Sequence, residues 1–181
     1  MRTGLALSTA AARWAARCYA RHFWLVFGVS MIPTAQRFVA VKYGADLPSA
    51  ADIGGEILTA LARVLLVYLI LRLVAREPEL SALRPAERWQ RLAAGINSRV
   101  RDFWFQFLVL AVAFTLLDLL PNAAIGVWVP EDQRELVTSV LVSVKNPTVI
   151  AFTFLWMIGV GRTLIVGAHS ATNHLREAPA A

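Results

Sequence analysis

Four stretches, each near twenty residues and almost free of charge, decide more about this chain than anything else in it. They are FWLVFGVSMIPTAQRFVAV (Phe23–Val41), ILTALARVLLVYLILRLVA (Ile57–Ala75), FWFQFLVLAVAFTLLDLL (Phe103–Leu120) and VIAFTFLWMIGVGRTLIVGA (Val149–Ala168). A helix rises about 1.5 Å per residue, so about 20 residues cross the ~30 Å hydrocarbon layer of a bilayer. No water in that layer can satisfy backbone N–H and C=O groups, so the segments must be helical. The alternative is a soluble bundle, but core helices of that length keep a polar stripe, and these runs are apolar nearly all round. The composition agrees: 57% of the 181 residues are hydrophobic and the mean hydropathy is +0.56, against roughly 45–50% apolar in soluble domains. The expectation is an all-α, polytopic integral membrane protein with a single membrane domain over residues 1–181. Its four transmembrane helices are placed at 23–41, 57–75, 103–120 and 149–168.

The charge has a direction. Lys and Arg number 18 against 12 acids, a net +6, and all the bases but Lys42 and Lys145 are arginine. Arg2, Arg13, Arg17 and Arg21 precede the first run, and Arg76, Arg84, Arg88, Arg91, Arg99 and Arg101 lie between the second and third. The other two connections mix few bases with acids: Lys42 with Asp46, Asp52 and Glu56, then Arg134 and Lys145 with Glu131, Asp132 and Glu135. The positive-inside rule then places both termini and the middle connection in the cytoplasm, which four crossings allow. A bacterial cytoplasmic (inner) membrane is the expected location; the preference for arginine over lysine is an association with GC-rich genomes, not a physical argument. Because the bases sit between apolar runs rather than on one soluble domain, no nucleic-acid partner is expected. The expected partners are the lipid bilayer, its anionic headgroups, and another membrane protein or a second copy. A cleaved signal peptide needs a short apolar region directly after the first charges; Arg13 and Arg17 interrupt that region, so the first span is read as an uncleaved anchor. The single cysteine, Cys18, excludes an intrachain disulfide and a cysteine-based zinc site.

A charged-aromatic corner occurs twice, RHFW at Arg21–Trp24 and RDFW at Arg101–Trp104, each where an apolar run begins. Trp favours the headgroup level and Arg beside it snorkels to phosphates, so these four residues are expected to be interfacial anchors. Upstream of each corner lies a basic stretch with a second tryptophan, Trp14 or Trp89. The chain thus reads as two copies of one unit (inner amphipathic helix, span, outer loop, span), parallel 2+2 repeats about an axis along the membrane normal. Two independent insertions using common anchor residues explain the same pattern. The inner helices are placed at 1–22 and 81–102; in the second, Trp89, Leu92, Ile96 and Val100 form a stripe and Pro85 suits a first turn. Such helices lie in the headgroup plane, or against a soluble partner. In the connection at residues 121–148, Pro130, Glu131 and Asp132 read as a helix start and Lys145, Asn146 and Pro147 as a stop. This predicts an outer helix over 131–145, lying on the surface in preference to dipping inward as half of a broken helix. Residues 169–181 form a cytoplasmic tail.

Ionisable residues inside the runs carry what functional information there is. A mid-span arginine costs roughly 2.5–3.5 kcal/mol on insertion scales, so each needs a partner or water. Arg37, Arg63 and Asp118 fall in the outer third and are expected to form one charge cluster, with Asp118 paired to Arg63 or Arg37. That cluster is read first as a clamp between spans and second as an anion site. Arg72 and Arg162 lie toward the inner leaflet and are expected to snorkel. Other constellations are thin. His169 and His174 are five apart, a poor spacing for a two-histidine metal site, and His22 and Cys18 add no pattern. No G-x-S-x-G, Walker loop or G-x-G-x-x-G is present; Gly159 and Gly161 are read as allowing close helix contact. No catalytic residue, metal or cofactor is assigned. The functional expectation is a non-catalytic accessory or assembly subunit of a larger membrane complex. A small transporter or channel for an anionic or lipid-like ligand, acting as a homo-oligomer, is the alternative. A lipid-modifying enzyme would need acids or histidines clustered at one interface, which the sequence does not assemble.

Overall fold

The computed structural model describes residues 2–43 and 48–177. Among them every element is helical: α1 (Arg2–Arg21), α2 (Phe23–Tyr43), α3 (Ser49–Val74), a short α4 (Pro78–Ser81), α5 (Pro85–Ser98), α6 (Val100–Phe114), α7 (Leu120–Trp128), α8 (Glu131–Lys145) and α9 (Ala151–Glu177). Two π turns, Thr115–Leu119 and Asn146–Ile150, join α6 to α7 and α8 to α9 without a break. Four helices are therefore long and apolar enough to cross a membrane: Phe23–Tyr43, Ser49–Val74, Val100–Trp128 and Glu131–Gly167. The number of spans agrees with the sequence; their lengths do not.

The second span starts earlier, at Ser49, and the two largest corrections of length, in the third and fourth, fall at prolines. A proline inside a helix lacks its N–H and crowds the carbonyl four residues back, so the third span was expected to end at Leu120, before Pro121, and the outer helix to stop at Pro147. Instead the backbone widens by one residue per turn. Leu120 N–H reaches the Thr115 carbonyl just before Pro121, and Ala151 N–H reaches that of Asn146 across Pro147. The Ser143 carbonyl, four residues before Pro147, accepts the Thr34 hydroxyl at 3.3 Å, and the helix runs on. As a result the connection expected over residues 121–148 shrinks to Val129 and Pro130. The helix expected over 131–145 is present with those bounds as α8, and it continues through the second π turn into α9 without a break. Arg134 closes the hairpin by donating to the Val129 carbonyl at 2.9 Å.

The bundle has a basic end, where α2 and α6 start and α3 and α9 finish, and an opposite end, where α2 finishes, α3 starts and α7 meets α8. Its core lies among α1, α2, α3 and α9: Leu7, Ala11, Trp14, Val26, Leu66, Ile70, Leu155 and Leu164 are all buried. Close approach is set by small residues. A Cβ on Gly159 would stand 2.8 Å from Trp14 and 3.0 Å from the Ala11 carbonyl oxygen, so α1 crosses α9 on that glycine. Gly95 of α5 meets the Leu164 carbonyl the same way, at 2.8 Å. Gly161 does not share this role, since its nearest neighbour, Leu92, is 4.0 Å off.

The two helices expected in the headgroup plane thus spend much of their apolar faces on the protein itself. In α5, Leu92 and Ile96 pack on the core, whereas Trp89 is exposed, and Val100, the last of the expected stripe, is exposed at the start of α6. The halves also differ in packing: α2 lies along α3, while α6 scarcely meets α9. Instead α6 is held near its start by α1. Buried Gln106 accepts from the Ser8 hydroxyl at 2.6 Å and donates to the carbonyls of Gly4 and Asp102. Near its far end the same long helix is held by α7 on α8.

Candidate functional site

Between those two attachments α6 and α9 stand apart, and the gap is a cleft of about 770 Å³. Its walls are apolar, with Phe107, Leu110, Phe114 and Leu117 on one side and Val149, Phe152 and Trp156 on the other, and Ser8, Thr9 and Ala12 of α1 contribute to its lining. It also holds a charge pair. Lys145 Nζ lies 2.5 Å from Asp118 Oδ1, and the lysine side chain is 9% exposed against 31% for the aspartate. Asp118 belongs to the first π turn and Lys145 directly precedes the second, so the two widened turns face each other through their ion pair. The expected partner of Asp118 was an arginine. Lys145 supplies the charge because the helix that seemed to end there continues, carrying the lysine into the bundle.

The other two members of the expected cluster lie elsewhere. Arg37 makes a two-pronged pair with Glu56 at 2.9 and 3.0 Å, joining α2 to α3 at the opposite end. One turn on, Thr59 donates to Gln36 at 3.1 Å. Arg63 faces a small pocket shared with Ser30, Pro33 and Asn146. Its Nε and the Asn146 Oδ1 are buried without a hydrogen-bond partner among the described residues. The Asn146 amide does donate to the Pro33 carbonyl and to that of Val142, each at 3.3 Å. Thus the helix that contains Pro33 is tied to the second π turn through Asn146. Tyr19 adds a 2.6 Å bond to the Pro147 carbonyl, and burial raises the pKa of its hydroxyl.

At the basic end, Arg72 is exposed, but Arg162 is not left to snorkel. Its Nε contacts Glu77 at 2.5 Å, just before α4, and its terminal nitrogen bonds Glu79 within α4. Trp14 donates to the second oxygen of Glu77 at 3.0 Å. Around this knot opens a basin of about 610 Å³ that also exposes Arg17, Arg21 and Arg76. Cys18 lines it, and burial, reinforced by Glu77 and opposed by Arg21, pushes its thiol up to about 11, so it stays protonated and unreactive near neutrality.

The two corners keep their aromatic character. Trp24 and Trp104 are 81% and 62% exposed. Each meets the preceding phenylalanine edge-on, Phe23 at 5.2 Å and Phe103 at 6.1 Å. Arg21 and Arg101 are exposed beside them. The side chains of His169 and His174, like Asp46, lie outside the described residues. Among those described, no group of three or more His, Cys, Asp or Glu is placed to hold a metal ion.

Sequence reasoning missed Lys145, Glu77, Glu79 and Gln106. Gln106 alone gave a signal, as an amide within an apolar run. Compared with known protein families, curated proteins and solved structures, the chain matches none.

Proposed function

We propose that this protein is a non-catalytic multi-pass membrane protein, an accessory or assembly subunit that receives a helix of a larger membrane complex between α6 and α9. The observation that carries this reading is the cleft. Helices in lipid associate through close packing and a few polar contacts. A helix about 10 Å across with a 5.4 Å pitch occupies roughly 400 Å³ per turn, so the cleft has room for nearly two turns. Its Asp118–Lys145 pair offers an incoming helix a polar contact at one depth, in a medium where such a contact fixes register.

In this reading the basic end faces the cytoplasm of a bacterial inner membrane, both termini lie there, and Arg21, Trp24, Arg101 and Trp104 anchor the two helix starts at the headgroups. A photo-crosslinking residue at Phe114 or Leu117, introduced in native membranes, tests it. One discrete protein adduct is expected from these positions and none from Leu61 or Val64, exposed apolar positions on α3. Equal adducts from both faces, or no protein adduct from the cleft, overturn it. The second reading, a homo-oligomeric carrier of an anionic or lipid-like ligand, is favoured by the excess of arginine around the basin and predicts an adduct of twice the chain mass.

A further inference from the structure

We infer that the basin at the basic end is a binding site for a phosphate group, presented by an anionic phospholipid. The inference does not depend on what fills the cleft. Three separate parts of the chain build the basin: α1 supplies Arg17 and Arg21, the turn after α3 with the start of α4 supplies Arg76, Glu77 and Glu79, and α9 supplies Arg162. Both acids are already engaged. Glu77 and Glu79 bind Arg162, and Glu77 also takes the Trp14 N–H. The remaining arginines have no acid within ion-pair distance among the described residues. Arg17 spends only its Nε, on the Arg13 carbonyl at 3.3 Å, and keeps its terminal nitrogens. The lining therefore carries four arginines against two glutamates, two positive charges in excess.

Planar guanidinium forks match phosphate oxygens with two parallel N–H donors, and such charge-assisted bonds are about twice as strong as neutral ones. The Arg162–glutamate knot contributes by position: it ties α9 to the turn that bears Arg76 and so fixes that arginine across the basin from α1. Besides His22 and Cys18 the wall offers an apolar side, with Leu73, Val74 and Trp14, which suits a phosphate that arrives on a glycerol and acyl chain better than one dissolved in water.

Native mass spectrometry of the full chain, released from detergent with phosphatidylglycerol or phosphatidylcholine, tests this. The wild type is expected to retain phosphatidylglycerol and not phosphatidylcholine. The triple variant Arg17→Gln/Arg21→Gln/Arg76→Gln should bind it about tenfold more weakly, the loss of several charge-assisted bonds. A control triple, Arg13→Gln/Arg84→Gln/Arg91→Gln, removes the same charge from the same end, outside the basin and the headgroup anchors, and should stay within about twofold if local geometry rather than mean potential governs binding. An unchanged thermal unfolding temperature shows that each variant is folded, and single Gln variants replace any triple that is not. Equal weakening in both triples, or no preference for the anionic lipid, overturns the site. Added glycerol phosphate separates the sources: failure to displace the lipid supports a lipid-borne phosphate, and displacement at millimolar concentration overturns the lipid assignment in favour of a soluble phosphate ester.

Discussion

The Lys145 ammonium and the Asp118 carboxylate meet at 2.5 Å with the lysine almost wholly buried, so removing one charge strands the other. Breaking a buried pair from one side costs about 3–5 kcal/mol, whereas replacing both partners with apolar groups is often neutral. Lys145→Met should therefore lower stability by roughly 3 kcal/mol, and Lys145→Met/Asp118→Leu should return to within about 1 kcal/mol of wild type. Arg63→Met should be neutral or stabilising, because its buried Nε has no acceptor to lose among the described residues. Thermal unfolding in one detergent checks all three; a loss at Arg63 matching that at Lys145 would contradict the assignment. Asp118 was conspicuous in the sequence as an acid in an apolar run. Its partner was not, because Lys145 stands in a Lys–Asn–Pro string that resembles a helix stop. Glu77 and Glu79 were equally hidden, since acids in a turn give no hint that an arginine eighty residues on will reach them.

Among the elements, the four apolar runs were legible because burial in lipid demands length and greasiness together. Their ends were not, since a π turn follows from how a helix accommodates proline and leaves hydrophobic periodicity untouched. The two glycines of the GVGR string show the same limit. Spacing could not tell them apart, but Gly159 lies under Trp14 and the Ala11 backbone while Gly161 has open room. Gly159→Ala should push α1 off α9 and destabilise by about 1–3 kcal/mol, the usual penalty for overpacking. Gly161→Ala should be neutral or gain up to about 1 kcal/mol from helix propensity. Unfolding temperatures of the two single variants decide it, and similar losses at both would show that α1 does not seat on Gly159.

For the molecule as a whole, orientation was read from the distribution of arginine, and the packing puts the starts of α2 and α6 and the finish of α3 at one end. Reporter fusions at the N-terminus and after residue 181 should both be active on the cytoplasmic side, and a fusion in the hairpin at Val129–Pro130 on the other. Opposite signals from the two termini would refute the topology. The stand-off of α6 from α9 left no mark in the sequence, because a helix bordering a cleft and a helix facing lipid use the same residues.

The continuous helix from Glu131 to Gly167 is 37 residues long, roughly 55 Å at 1.5 Å per residue, against about 30 Å of hydrocarbon. Upright in a bilayer such a rod would overhang the hydrocarbon by roughly 25 Å, like a mast stepped through a deck, and a tilt imposed on one tip would appear, reversed in sense, at the other.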